Sequence, residues 1–194
     1  MSASKVLTVG VLGLQGDFRE HLRVLARLGV SARDVRKPGD LDGLDGLILP
    51  GGESTTIARL LKESGLWDEI RERGQNGLPL YGTCAGLILL AKEILEGRPE
   101  GLGLLDITVD RNAYGRQVDS FEADLEIQGI GPFHAVFIRA PKVIRWGPDV
   151  EVLAEYDDSP VLLRQDHILG SSFHPELTDD TRIHEYFLQL VREQ

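Results

Sequence analysis

Cysteine occurs once in these 194 residues, so neither an internal disulfide nor a cysteine-based metal cluster can brace the chain. A lone surviving thiol suits a reducing compartment, and a cytoplasmic protein is the expectation. Positive charge is scarce as well. Lysine and arginine number 21 against 31 aspartates and glutamates, leaving a formal charge of −10. That balance repels phosphate backbones and anionic lipid headgroups, which argues against nucleic acid or a membrane surface as a partner. No apolar run approaches the roughly 20 residues a membrane-spanning helix needs. The opening Met1-Ser2-Ala3-Ser4-Lys5 leads directly into a strand-like Val6–Leu12, without the apolar core and cleavage site of a signal peptide. Repeats, low-complexity tracts and linkers are missing too, so one domain spanning residues 1–194 is expected.

What the chain does have is glycine, 22 residues of it, within a composition that is 42% hydrophobic. In the first half, short apolar runs alternate with helical patterns: Val6–Leu12, Phe18–Leu28, Ala32–Val35, Leu47–Leu49, Ile57–Leu61, Leu78–Tyr81 and Leu87–Ile94. This is the rhythm of parallel strands joined by crossover helices. Leu22, Leu25, Ala26 and Leu28 recur at helical spacing, and Gly29 sits where a helix C-terminal glycine belongs. After Gly101 the pieces become short and alternating: Ile107–Val109, Ala123–Ile127, Ala135–Ile138, Val152–Tyr156, Val161–Arg164 and Ile168–Phe173. They predict antiparallel additions to the main sheet. A final helix is expected at about Thr181–Val191, with Ile183, Phe187, Leu190 and Val191 on one face. The fold class is therefore α/β, a doubly wound three-layer α/β/α sandwich whose mostly parallel central sheet carries antiparallel strands in the C-terminal half.

The single cysteine lies in Gly82-Thr83-Cys84-Ala85-Gly86. A Gly-x-Cys-x-Gly turn between a strand and a helix has the form of a nucleophile elbow. The chain reverses so sharply that only glycine-like neighbours let the backbones approach, and the middle side chain is pushed out at the carboxyl edge of the sheet. The helix N-terminus at that point favours a thiolate. A second segment, Phe173-His174-Pro175-Glu176, follows a strand-like run. Positions i and i+2 of an extended segment share a face, so Glu176 can orient the imidazole of His174 and His174 can serve Cys84 as base and acid. A third, Leu49-Pro50-Gly51-Gly52-Glu53-Ser54-Thr55, is a glycine-rich loop between a strand and a helix. Its backbone N–H groups near Gly52, with that of Ala85, can form an oxyanion hole. Gln15, in Gly13-Leu14-Gln15-Gly16-Asp17, opens at the same sheet edge. Taken singly, these features have ordinary readings: a small buried cysteine, a loop histidine, a turn, or a phosphate cradle without the Walker lysine. Their coincidence at one sheet edge points to nucleophilic acyl transfer.

Together these residues resemble the class I glutamine amidotransferases, and within them the glutaminase subunits of the two-protein pyridoxal 5′-phosphate synthases. The strings Pro50-Gly51-Gly52-Glu53-Ser54-Thr55 and Arg111-Asn112-Ala113-Tyr114-Gly115-Arg116-Gln117 carry the narrower resemblance, which runs almost end to end. It implies a Cys84-His174-Glu176 triad hydrolysing L-glutamine without metal or other cofactor. It implies glutamine contacts at Gly52, Glu53, Ser54, Arg111, Ile138 and Arg139, and a role for Gln15 near the partner surface. The partner implied is a barrel-shaped synthase subunit, in an assembly of twelve synthase and twelve glutaminase subunits. A glutaminase serving another synthase, a noncatalytic binding module and a cysteine hydrolase of related fold are the rival readings.

Overall fold

In a computed structural model, residues 5–113 and 120–194 are described; Tyr114 to Gln117 of the second string above lie outside them. Seven strands form the central sheet in the order β10-β11-β12-β4-β3-β1-β2. Five of them, β1 (Thr8–Leu12), β2 (Ser31–Val35), β3 (Gly46–Leu49), β4 (Leu80–Thr83) and β12 (Ile168–Ser171), run parallel. The other two, β10 (Glu151–Tyr156) and β11 (Ser159–Gln165), extend one edge in antiparallel fashion.

Side chains along these strands alternate between two cores, as the period of two dictates. Leu47, Leu49, Leu80, Leu163 and Ile168 face one core, whereas Val9, Val11, Ile48, Tyr81, Leu162 and Leu169 face the other. The first is closed by α2 (Ser54–Glu63), α3 (Leu66–Gln75) and α4 (Ala85–Leu90), with Leu105, Ile107, Val109 and Val143 of a small sheet made from β5 (Ala91–Ile94), β6 (Leu105–Asp110) and β9 (Lys142–Trp146). The second is closed by α1 (Phe18–Arg27), α5 (Arg182–Arg192) and a hairpin of β7 (Ser120–Ile127) with β8 (Gly131–Ile138).

The doubly wound arrangement and its antiparallel edge follow the pattern read from the sequence. Four details differ. The segments at Ile107–Val109, Ala123–Ile127 and Ala135–Ile138 do not join the main sheet but form the two small sheets, because their apolar faces cover its cores. The run Leu87–Ile94 divides at Ala91, whose extended backbone (φ −60°, ψ 146°) ends α4 and starts β5. Helix α3 was hidden by charge: between Leu66 and Gln75 only Leu66, Trp67 and Ile70 are large and apolar, and all three are buried. On α1 the buried side chains are His21, Val24 and Leu25, while Ala26 faces solvent. Gly29 does close α1, with φ +70° and its N–H donating to the Ala26 carbonyl.

Close backbone packing sets the elbow. A Cβ on Gly86 would lie 2.0 Å from the Leu49 carbonyl oxygen, and one on Gly82 would lie 2.5 Å from the Gly86 carbonyl. Neither neighbour is a flexible side chain, so the first turn of α4 rests directly on β3 and β4. Gly86→Ala is accordingly expected to destabilise the fold by at least about 1–3 kcal/mol in urea unfolding. Gly39→Ala, at a site where an added Cβ meets nothing within 4 Å, should stay within about 0.5 kcal/mol of the parent.

Candidate active site

The loops that follow β1, β3, β4 and β12 meet at the carboxyl edge of the parallel strands, beside the point where the chain order reverses between β1 and β3. Cys84 stands there with φ +50° and ψ −102°, a conformation that costs a non-glycine residue about 1–3 kcal/mol. It is held by its N–H donating to the Ser171 carbonyl (2.8 Å) and its carbonyl accepting from Ile88 (3.1 Å). The thiol is largely covered, and its Sγ lies 3.6 Å from the carbonyl oxygen of Ile138 at the end of β8.

Register brings His174 alongside. β12 pairs with β4 so that Ser171 is opposite Thr83, and the chain leaving β12 reaches His174, whose N–H is fixed by the Val136 carbonyl at 2.9 Å. Nδ1 of His174 donates to Oε1 of Glu176 at 2.6 Å, with both side chains buried. The other ring nitrogen is thereby left for the sulfur. Burial by itself would lower the pKa of His174, but hydrogen bonding to Cys84 and Glu176 raises it to about 11. An imidazolium between sulfur and carboxylate is the form those partners favour. Glu176 is pushed upward by burial, against the pull of His174.

The glycine-rich loop packs on this pair. The imidazole of His174 lies against Gly51, where a Cβ would approach its Cε1 to 2.4 Å. The Gly51 carbonyl accepts from the Asp17 N–H (2.9 Å), and Oε1 of Gln15 accepts from the Glu53 N–H (2.9 Å). The β1 loop therefore clamps the β3 loop at two points. The Asp17 carboxylate lies 3.5 Å from His174 Nδ1, and burial raises its pKa while His174 opposes the rise. Asp17, His174 and Glu176 thus place three potential metal-ligand atoms within 4.8 Å; Nδ1 of His174 is already bonded to Glu176.

The remaining expected contacts gather around the same loop. Glu53 caps α2, accepting from the N–H groups of Thr55 (3.2 Å) and Thr56 (2.6 Å) and the Thr56 hydroxyl (2.7 Å). Burial pushes its pKa up, but those bonds and Arg111 hold it below the ordinary value. Arg111 donates to the Arg98 carbonyl at 2.7 Å and lies 3.6 Å from Glu53. Ser54 is buried in the first turn of α2. Ile138 and Arg139 are exposed at the end of β8, Arg139 with φ +44°. Sequence reasoning did not single out Asp17, although its motif was visible. It also passed over the buried polar residues behind Cys84, His174 and Glu176, namely His21, Thr83 and His184; the signal for His21 was a polar residue one helical turn beyond Asp17 on the face that carries Phe18, Val24 and Leu25.

Strand order and the edge at which these loops meet define the class: the fold is that of the class I glutamine amidotransferases. PurLQS from Thermotoga maritima superposes on it with a TM-score of 0.70 at 17% identity, covering 95% of this chain and 98% of that one, a likeness of fold alone. A crystal structure described as a glutamine amidotransferase matches with a TM-score of 0.91 at 59% identity, covering 95% of this chain and 98% of its own. The chain belongs to the SNO glutamine amidotransferase family, whose sequence model matches residues 11–193. Among its relatives is pyridoxal 5′-phosphate synthase subunit PdxT of Thermosipho africanus, 57% identical over 96% of this chain and 100% of that protein. The subunit of the same name from a strain of Thermus thermophilus is 62% identical over 94% of this chain and 97% of its own.

Folding raises the proton affinity of His174 above its ordinary value of 6.5. Its contribution to stability is therefore present in full below pH 6.5 and fades as pH climbs toward about 11. His174→Asn should accordingly show a stability deficit against the parent that narrows from pH 6.5 upward, read by denaturant unfolding at a series of pH values; a deficit that widens would contradict the assignment.

Proposed function

We propose that this chain is the glutaminase subunit of a pyridoxal 5′-phosphate synthase, a single glutaminase domain over residues 1–194 that hydrolyses L-glutamine and passes the ammonia to its synthase partner. The observation that carries the reading is the alignment of Cys84, His174 and Glu176, with the 2.6 Å bond from His174 to Glu176 at its centre. Relatives named as subunits of that synthase, matched over nearly their whole length, support the choice of acceptor.

In the proposed reaction the Cys84 thiolate attacks the side-chain carboxamide carbon of glutamine. The oxyanion is received by the N–H groups of Gly52 and Ala85, each worth about 3–4 kcal/mol of transition-state stabilisation in comparable sites. His174 gives its proton to the departing ammonia, leaving a glutamyl thioester. It then takes a proton from the water that attacks the thioester, which releases glutamate and restores the thiolate–imidazolium pair. Glu176 holds the imidazole in one tautomer throughout. Arg111 supplies the cation that the α-carboxylate of glutamine requires. The backbone at Ile138 and Arg139, with Gly52, Glu53 and Ser54, lines the rest of the amino-acid pocket. Glu53 acts there chiefly through Arg111, since its carboxylate is engaged as the cap of α2.

Ammonia released to water is protonated and lost as a nucleophile, so hydrolysis serves a purpose only beside an acceptor. The family likeness supports a barrel-shaped synthase subunit and an assembly of twelve with twelve; the lone thiol supports a cytoplasmic setting. Gln15 and the Gly51-Gly52 loop are the proposed switch. Reorientation of that peptide when the partner docks would aim its donors inward, and the Gln15–Glu53 and Asp17–Gly51 hydrogen bonds are the contacts such a change would break or remake.

Glutamate release from glutamine, measured with and without the synthase subunit, tests the proposal. Release should rise strongly with the subunit and fall by about 10⁴-fold or more in Cys84→Ala. Release that ignores the subunit would point to another acceptor, and Cys84-independent release would end the reading.

A further inference from the structure

Behind the triad lie two completely buried histidines that the reaction above does not use. His21 comes from α1 and His184 from α5. Nδ1 of His21 is 2.9 Å from Nε2 of His184. On its other side, Nε2 of His21 is 3.2 Å from the Thr83 hydroxyl and 3.6 Å from Oε2 of Glu176. That carboxylate oxygen is buried without a hydrogen-bond partner among the described residues, and so is Nδ1 of His184.

Proton bookkeeping selects one arrangement. Both rings are neutral at pH 7: burial lowers His184 to about 3, and burial, with His184 and His174 nearby, holds His21 well below its ordinary value. One proton therefore lies between the two rings. If His21 supplied it, His184 would carry its own proton on Nδ1, stranding a buried donor, and a bare Nε2 of His21 would face the Glu176 carboxylate. If His184 supplies it from Nε2, its Nδ1 is merely an unused lone pair, and the proton of His21 sits on Nε2, directed toward Thr83 and Glu176. The first arrangement combines an unpaired buried N–H with a repulsive contact; the second has neither.

We propose that His21 is a positioning residue of the active site, its Nε2 proton shared between Thr83 and the outer oxygen of Glu176 so that the inner oxygen stays on His174. It couples the two arms of the triad, since Thr83 immediately precedes Cys84 and Glu176 follows His174. At 3.6 Å the contact with Glu176 is longer than a hydrogen bond; hydrogen bonds in sites without substrate are commonly long and tighten when it binds. The groups facing the His21 ring are His184 from α5, Glu176 and His174 from the segment after β12, and Thr83 and Tyr81 from β4, the Tyr81 ring edge-on at 6.4 Å. This inference rests on the hydrolysis proposed at Cys84, but part of its test does not.

The test compares His21→Gln, whose amide can place a donor near the Nε2 position, with His21→Asn, which reaches only the Nδ1 position, and His21→Leu, which has neither. With the synthase subunit present, Asn and Leu should lower kcat for glutamate release by about ten- to hundredfold at unchanged KM, the scale on which groups orienting a functional histidine act; Gln should recover most of it. Nitrogen NMR of the full parent chain at pH 7 should show His21 protonated on Nε2 and bare on Nδ1. The downfield proton of His174 Nδ1 should move upfield in Asn and Leu and stay in Gln. A charged His21 ring, the opposite tautomer, or equal kcat and equal resonances for Gln and Asn would overturn the proposal. If Leu does not fold, the contrast between Gln and Asn decides. Should glutamate release prove independent of Cys84, the hydrolysis reading falls, and the tautomer and the His174 resonance still decide what His21 does.

Discussion

The contact between Gly86 and the carbonyl of Leu49 underlies the geometry of the carboxyl edge. Because no side chain separates the first turn of α4 from β3, the chain leaving β4 has to reverse within a single residue, and that residue is Cys84 with a positive φ. The strain is sustained because both backbone groups of Cys84 are hydrogen-bonded and the strand beside it delivers His174 in register. Glycine acts here by the absence of a side chain, and its effect is to set the sulfur at the carboxyl edge of the sheet rather than to loosen the turn.

Electrostatics in the site follow from burial. His174 and Glu176 are both removed from water, which penalises each as an isolated ion, yet their 2.6 Å contact and the nearby sulfur keep the imidazole protonated. The same burial has the opposite outcome at His21 and His184: among the described residues no carboxylate comes within hydrogen-bond distance of either ring, Glu176 standing 3.6 Å from His21, and burial holds both uncharged. Histidines within one small region are thus divided into a charged one that can deliver a proton and neutral ones that can only direct it.

The sequence displayed those features whose chemistry is local. The Gly-x-Cys-x-Gly turn and the Gly51-Gly52 loop show their geometry in a handful of adjacent residues; the nearness of His174 to Glu176 was legible too, but Pro175–Leu177 forms a 3₁₀ turn and not the extended segment that the i, i+2 spacing suggested. The pairing of β7 with β8 and of β6 with β9 was not visible, since antiparallel strands of equal polarity pattern pair equally well with the main sheet or with one another until a core needs covering. Helix α3 was concealed because only one side of it is apolar and charged residues dominate its composition. The roles of Asp17 and His21 were illegible for a different reason: each depends on residues that meet it only in three dimensions, Gly51 and His174 for one, Thr83, Glu176 and His184 for the other.

That dependence bears on how the protein comes into being. The bond between His21 and His184 joins residues 163 positions apart, and the parallel pairing of β12 with β4 closes a loop of comparable kind. Contacts so distant along the chain are slow to form because loop closure has to precede them. During synthesis the elbow, the glycine loop and α1 emerge long before β12, the segment bearing His174 and Glu176, and α5. Until those last segments arrive, Cys84 has neither His174 beside it nor the strand whose carbonyl anchors its backbone. The surroundings of the sulfur are in this sense assembled only on completion of the fold.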